Sequence, residues 1–568
     1  MAAEIKPQKP FNSIDVYYYY YNQTGMAWFD GTRLERGHSI TSYTYDSGKN
    51  YVTKVKDASG TEVSVGYDII GNNTSYTNGK GKTTSFAYDG WNLLTSITDA
   101  KTKVTAYEYD NAGNRTRVVD AKNNASTYNY NEFNLLSDMK NPLNQITRFE
   151  YDKNGNQTKL VYPKGDTTSY GYNVLNRLET VKYNGINRWS YSYDPNGNIT
   201  AANDLSTGLN KAHIYDVNDR LTEEKTGSQN SIRYNYDDNS NVTGLVMTAG
   251  AVSVTNGYKY NSLNQIAQLT RNGINLESFI YNEAGNIVTT NRQNYTSTSS
   301  LYDDVNRLEA ITNYDANGGI LNKFKYQYDA NGNRTSVNTN SRIINYQYDE
   351  LDQLTQESLL NGTIISYEYD AVGNRTKKIV NNGSITNTIY NYNNGNELIS
   401  VDGQAYTYDL NGNITNNGEK TFIYTIDNRL AEVKNAQGQI IATYTYDHEG
   451  KRSSMTASGS TIYYHYSGNN VVYETNASNN IVAEYTYDPN GSPATMTRSG
   501  VTYYYHVNGH GDVVSLTNSS GLVVASYDYD AYGSIISQSG AMASINCRQS
   551  FIKLPDAIVN RRHNPFSF

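Results

Sequence analysis

The sequence predicts an all-β repeat protein, in which consecutive β-hairpins of period 21 coil into a spiral sheet forming a partial hollow shell. Three observations predict it. The phrase from Thr105 to Thr116, TAYEYDNAGNRT, returns in closely similar form along almost the whole chain. Its second tyrosine falls at Tyr67, Tyr88, Tyr109, Tyr130, Tyr151, Tyr172 and Tyr193, 21 residues apart, and the series runs on with small insertions and deletions to Tyr529. Tyrosine is used 56 times against 11 Phe and 3 Trp, so the apolar face is built from rings that keep a hydroxyl for water or a partner. A fixed period sets the architecture before any residue-level reading.

Each element of the unit has a reason. Tyr107 and Tyr109 are two apart and share one face of a strand, with Glu108 on the other. Asp110 bonds its own backbone to start a turn, Gly113 supplies positive φ, and Asn114 is expected to tolerate the left-handed region. Arg115 and Thr116 open the return strand. The same set recurs as Tyr151, Asp152, Gly155 and Asn156; Tyr193, Asp194, Gly197 and Asn198; Tyr328, Asp329, Gly332 and Asn333; and Tyr369, Asp370, Gly373 and Asn374. A second polar turn, such as Asp99-Ala100-Lys101-Thr102, completes the unit. Two turns and two strands in ~20 residues make a hairpin, and consecutive hairpins make a meander. Helix is not expected, because no segment holds a 3.6 period over three turns.

A second rhythm is superimposed. Gly-Asn turns (Gly113-Asn114, Gly155-Asn156, Gly197-Asn198) alternate with Asn-x-Leu turns (Asn92 to Leu94, Asn134 to Leu136, Asn176 to Leu178), giving a higher period of 42. Leu94 and Ile97, Leu178 and Val181, Leu308 and Ile311, and Leu430 and Val433 are three apart, which breaks plain alternation. The leucine is read as closing the turn inward, and a bulge would also serve. About two dozen units imply roughly 48 strands and a ribbon roughly 230 Å along its edge. Open twisted sheets rarely exceed ~10 strands without curling, so the ribbon should coil. Stacking one turn of the coil on the next should protect its edges and enclose a space.

Three segments follow: an irregular N-terminal arm over 1–40, the repeat shell over 41–537, and an aberrant tail over 538–568. Tyr17 to Tyr21 in the arm is read as a degenerate strand. The arm has no apolar signal-peptide region, and no run approaches a membrane span, so neither an address nor membrane insertion is expected.

Composition narrows function. The net charge is −8 and the basic residues look scattered, so nucleic acid is not an expected partner. Regular aromatic alternation argues against disorder. The single cysteine, Cys547, excludes an intramolecular disulfide framework. No cofactor is expected: no Gly-rich phosphate loop opens a helix. The Asp-x-Asn-Gly-Asn turns at Asp194 and Asp329 resemble half a calcium loop, but the acidic residue at the far end is missing, so they are read as Asx-turns. His506, His510 and Asp512 lie close together without the spacing of a zinc site and are read as turn structure. Asp488-Pro489-Asn490-Gly491 is read as an ordinary turn. Cys547, with no partner histidine, is not read as a nucleophile.

The YDxxGNRT phrase (Tyr109 to Thr116, Tyr328 to Thr335, Tyr369 to Thr376) and its YxxxNRL partner (Tyr172 to Leu178, Tyr302 to Leu308) resemble the YD repeats of the RHS/teneurin superfamily, over roughly nine-tenths of the chain. Asn508, Gly509, His510, Gly511 and Asp512, followed by Leu516-Thr517 and Tyr527 to Gly533, resemble the end of the RHS core in wall-associated proteins of Gram-positive, Bacillus-like bacteria. The resemblance implies a hollow β-shell that surrounds or presents a C-terminal toxin in contact-dependent bacterial competition, itself not an enzyme. It also implies an extracellular or cell-wall location. After Asn546 the sequence departs from that pattern: tyrosine is absent from Ser534 to Phe568, where the family would carry an aromatic core end. A frame shift or truncation is the simplest account, with the cleavage aspartates and the toxin cargo domain missing. The expected state is a monomer with cargo as its partner. The rival class is an adhesin binding cell-wall or surface glycans through its tyrosines; an enzyme finds no convergent titratable cluster.

Overall fold

The computed structural model describes residues 41–543 except Leu360. The arm with Tyr17 to Tyr21 and the part of the tail from 544 on, with Cys547, lie outside the described residues; the first residues of the tail continue the last strand, Ile535–Ser539, and Ala543 is buried. Among the described residues there are 49 strands and no helix. They form sheets of 35 and 14 strands, in which each strand pairs antiparallel with its neighbours in the chain, as in the run from Val104–Tyr109 to Ile146–Tyr151. The division between the sheets is one residue wide. Gln404–Ala405 pairs backward with Leu398–Val401, and Thr407–Tyr408 pairs forward with Ile414–Asn416. The intervening Tyr406 N–H still donates to the Ile399 carbonyl at 2.9 Å.

Every Tyr-x-Tyr hairpin carries a bulge at the same place. Tyr88 faces Leu94, but Ala87 faces Ser96, so Thr95 has no partner; likewise Tyr109 faces Arg115 while Glu108 faces Arg117. The skipped residue turns Leu94 and Ile97 to one side, which accounts for the spacing of three. A bulge also interrupts the ladder, and the next tyrosine supplies a donor there. Tyr109 Oη donates to Leu94 O at 2.8 Å, Tyr151 Oη to Leu136 O at 3.0 Å, and Tyr193 Oη to Leu178 O at 2.6 Å. Each repeat is thus bolted to the one before it. Tyr151→Phe is expected to cost about 0.5–1.5 kcal/mol, read as faster amide hydrogen exchange in the strands 136–161 and unchanged exchange several repeats away.

The ribbon coils. Hydrogen bonds between successive turns of the coil join residues 251 apart at Lys80 and Asn331, 236 apart at Lys211 and Asp447, 213 apart at Arg271 and Glu484, and 163 apart at Tyr369 and Tyr532. The shrinking offset means that the coil tightens, so later strands lie inside earlier ones. The tyrosine face is the inner face, because the C-terminal strands pack against it. Ile232, Leu245 and Met247 meet Val472 and Tyr473; Leu269 and Phe279 meet Ala494; Ile311 and Tyr326 meet Val507. The first part of the coil has no such second layer: from 41 to 167 no side chain is fully buried, and Thr168 is the first that is. There the inner wall is a single sheet of half-covered tyrosines. The opposite face carries exposed cross-strand pairs such as Arg117–Glu108 at 2.6 Å and Lys159–Glu150 at 3.0 Å, which contribute little to stability.

Edge protection arises differently from the expectation. In a meander the long sides of the ribbon are rows of turns, not strand edges. The coils therefore meet through side chains on those turns, and apart from the two short strands at the division between the sheets, the strands of the described residues with an unpaired side are the first, Ser42–Tyr45, and the last, Ile535–Ser539.

Candidate functional site

The defining turns are tied to one another by hydrogen bonds along a rim. Asp110 Oδ1 accepts from Ala112 N at 3.0 Å and Asn114 N at 2.9 Å, and Asn114 Nδ2 donates to Asp110 Oδ2 at 3.0 Å. The same bonds recur from Asn156 to Asp152, Asn198 to Asp194, Asn333 to Asp329 and Asn374 to Asp370. The Asn114 amide, with the backbone donors, holds the Asp110 carboxyl below its ordinary range. Both oxygens are thus engaged by N–H groups, at Asp194 as at Asp110; this is Asx-turn chemistry. The left-handed position is filled otherwise than expected: Gly113 takes it, with φ of 85°, and in the Asn-x-Leu turns Asn92, Asn134 and Asn176 take it. Asn114 stays at negative φ, which leaves its side chain free to bond.

That side chain explains the period of 42. Asn114 Nδ2 also donates to Asn134 Oδ1 of the next turn at 2.8 Å, as Asn156 does to Asn176 at 2.8 Å and Asn374 to Asn396 at 3.0 Å. Where the Asn-x-Leu turn is Asn-Arg-Leu, the link runs on through arginine. Arg177 Nη1 donates to Asp194 O at 2.8 Å, and Arg220, Arg307 and Arg429 reach the following turn in the same way. The NRL arginine is therefore a rim connector that also lies over the next tyrosine ring, as Arg220 does over Tyr236 at 4.6 Å.

The coils are joined by a row of lysines that sequence reading took as scattered. Lys80, Lys101, Lys122 and Lys164 stand at intervals of 21 or 42 on the second turns. Lys80 meets Asp352 at 3.0 Å, Lys101 meets Asp349 at 2.5 Å and Lys122 meets Asp370 at 2.9 Å, while Lys164 N donates to Asn411 Oδ1 at 3.0 Å. At the vacant rung Leu143 packs on Gly395. Their partners are the YD-turn residues of the next coil, so Asp349 and Asp370 close a turn and also receive a lysine. Burial raises the Asp370 carboxyl, but hydrogen bonds from Asn374 and Lys122 outweigh it and the net pKa is lowered. A depressed carboxyl contributes stability above its unfolded pKa of about 3.9 and loses it as pH falls through the lower, folded value. Lys122→Gln is expected to narrow this acid-sensitive interval, measured as a smaller loss of thermal midpoint below about pH 4.

The stretch from Asn508 to Asp512 forms a turn that docks on Tyr326 and Arg334 of another coil. Asn508 Oδ1 accepts from His510 N at 2.8 Å and Asp512 N at 3.0 Å. Gly509 N donates to Tyr326 Oη at 2.7 Å, and Arg334 donates to Gly509 O while its guanidinium lies 4.7 Å from the Tyr326 ring. His510 points outward, 50% exposed, with Nδ1 3.8 Å from Asp512 Oδ2. His506 points inward and is wholly buried, its Nε2 3.0 Å from Thr517 Oγ1. Burial and nearby Arg292 hold its pKa well below the ordinary value. The structure therefore separates His506 from His510 and Asp512, and among the described residues no group of three His, Cys, Asp or Glu is placed to hold a metal. Asp488 is a turn residue, its N–H bonded to Ser492 O at 2.8 Å.

A tapering coil of bulged Tyr-x-Tyr hairpins, joined turn to turn and with its last strands packed inside, defines a YD-repeat shell. The chain belongs to the teneurin YD-shell family, whose model it matches over 231–390 and 333–546, more than half of its length. The RHS repeat model matches 67–103, 88–125 and 130–167. Among curated relatives, the tRNA(Glu)-specific nuclease WapA of Bacillus subtilis subsp. natto is 36% identical over 215 residues, 37% of this chain. The tRNA nuclease WapA of Bacillus subtilis strain 168 is 36% identical over 208 residues, 36% of this chain. The matched stretch spans only 9% of the length of each of these relatives. Among solved structures, the TcdB2-TccC3-TEV crystal structure shares the fold with a TM-score of 0.72 at 14% identity, over 90% of this chain and 33% of that one. The Photorhabdus luminescens Tc holotoxin pore gives 0.71 at 14% identity, over 88% of this chain and 32% of that one.

Proposed function

We propose that this chain is the wall of a toxin-holding shell, which encloses or presents a C-terminal toxin domain in contact-dependent bacterial competition and performs no catalysis itself. The observation that carries the reading is the asymmetry of the coil. Its later strands tuck inside and are fastened by the turn at Asn508 to Asp512, while the tyrosine wall of 41–167 is left uncovered, facing the enclosed side. Such a wall offers rings and hydroxyls to a polypeptide of any fold. The repeat-defining Tyr, Asp, Gly and Asn positions build the wall, and the relatives' names as nucleases and the Tc holotoxin fold likeness support a toxin as cargo. Action outside the cell or at the cell wall accompanies this reading.

The test is protection. A nuclease domain fused behind the chain is expected to resist added protease at least tenfold longer than the free domain, and to lose that protection when the shell is unfolded. Equal digestion rates would refute enclosure. Saturable binding of the unfused chain to a cell-wall glycan would favour the adhesive reading instead.

A further inference from the structure

We propose that Lys211 and Asp447 become joined through their side chains by an amide bond, a covalent staple between successive coils, with Glu224 as the proton carrier. Lys211 Nζ lies 3.0 Å from Asp447 Oδ2 and 3.0 Å from Glu224 Oε1. The three side chains are 11%, 7% and 14% exposed in that order. They are brought together by elements that have little freedom. Lys211 and Glu224 sit on paired strands, Asn210–Tyr215 and Leu221–Thr226, in which His213 faces Glu224 and Lys211 faces Thr226, so the two are diagonal neighbours on one face. Asp447 arrives 236 residues later, at the start of the turn that follows Ile440–Tyr446. Its carboxylate is held by Glu449 N and Lys451 N as well as by Lys211.

Other seam lysines differ in the features that matter. Lys101 is 34% exposed and Lys122 is 25% exposed, each with one carboxylate. Lys80 meets Asp352 and Asp329, but it is 21% exposed and Asp352 is 35% exposed. Lys211 alone among these has two carboxylates in an enclosed place. The enclosure is aromatic: His448, next to Asp447, stands edge-on to Trp189 at 6.0 Å, Tyr191 at 5.9 Å and His213 at 6.2 Å. A cavity of 420 Å³ adjoins the triad, lined by Lys211, Glu224, Asp447, Trp189 and His465, with room for a departing water.

The chemistry closes without another reagent. Burial disfavours the Lys211 ammonium, but Glu224 and Asp447 outweigh it, so the resting set is ionic. The ammonium first passes a proton to Glu224. Glu224 hands that proton on to Asp447, so that the free amine attacks the neutral acid at Cγ, a C–N bond forms, and the Cγ–OH bond breaks as that oxygen leaves. The two protons lost by the ammonium depart with it as water, Glu224 carrying them in transit and ending as the carboxylate it was. Ammonium plus carboxylate becomes amide plus water, with no change of oxidation state. Holding the amine against the carboxyl in a fixed geometry is the condition under which such a reaction becomes effectively unimolecular, and a positioned carboxylate is a competent proton carrier. With one cysteine in the chain, this amide would serve where a disulfide framework is absent, closing a long loop against unrolling.

The experiment is the intact mass of the purified full chain, with peptide sequencing by mass spectrometry. The expected result is a mass lower than the sequence mass by one water, and a branched peptide linking Lys211 to Asp447. Glu224→Gln and Lys211→Arg should both return the full sequence mass; the arginine keeps the ion pair and so the fold. Full sequence mass in the folded wild-type chain, with both peptides recovered linear, would overturn the proposal. So would a lost water that persists in Lys211→Arg.

Discussion

Tyr473→Ala is expected to cost about 3–5 kcal/mol, the range for emptying a large aromatic site in a packed core. Tyr473 is wholly buried between the layers, among Ile232, Leu245, Met247 and Val472. Its ring stacks on His465 at 4.1 Å, and its hydroxyl donates to Thr248 O of the outer coil at 3.1 Å. The loss should be localised. Limited proteolysis should cut 470–543 much earlier than in the parent, while the hairpins of 41–167 stay resistant, because they touch none of these residues. Tyr473→Phe keeps the packing and forfeits one hydrogen bond, about 1 kcal/mol. Equal effects of the two variants would mean that the layers are held by the hydroxyl and not by burial.

Gly509→Ala should be the second most damaging change, through space and not backbone strain. A Cβ there would lie 2.7 Å from the Tyr326 ring and hydroxyl and 2.8 Å from Leu308. Seating it means pushing Tyr326 off the backbone N–H that it accepts from, and displacing Arg334 stacked on the same ring. Overpacking of this kind typically costs about 1–3 kcal/mol. Gly90→Ala is the matched control: its turn has open space around the added carbon. A lowered thermal midpoint for Gly509→Ala with none for Gly90→Ala is expected, and parity between them would mean that the turn at 508–512 is not a docking element.

How far the sequence could be read follows from which contacts repeat. Tyr109, Asp110 and Gly113 act within one hairpin, so each repeat reports the same geometry and the period declares it. The alternation of Gly-Asn and Asn-x-Leu turns was visible as a rhythm, but its cause was not. The Asn114 amide spans to Asn134, and only the folded rim places them side by side. Lys80, Lys101 and Lys122 keep the period too, yet they read as scattered surface charge, because their partners lie about 250 residues away. That offset is set by coil circumference, which shrinks along the chain and leaves no fixed spacing to detect. Gly509 carried even less signal: its need for a missing Cβ comes from Tyr326, a residue of another coil.

The pairing of the described strands with their neighbours in the chain alone also decides how such a chain would come into being. Each hairpin needs only the residues just before it, so strand formation has short loops to close and can advance as the chain emerges. The coil-to-coil contacts are of the opposite kind, joining positions as far as 274 residues apart. They can form only after a whole circumference exists. Two kinetic phases are therefore built in: rapid zippering along the ribbon, then slower rolling that aligns the lysine row with its aspartates and seats the last strands inside. A one-repeat deletion would leave the first phase intact and set every later rung one tooth out of step.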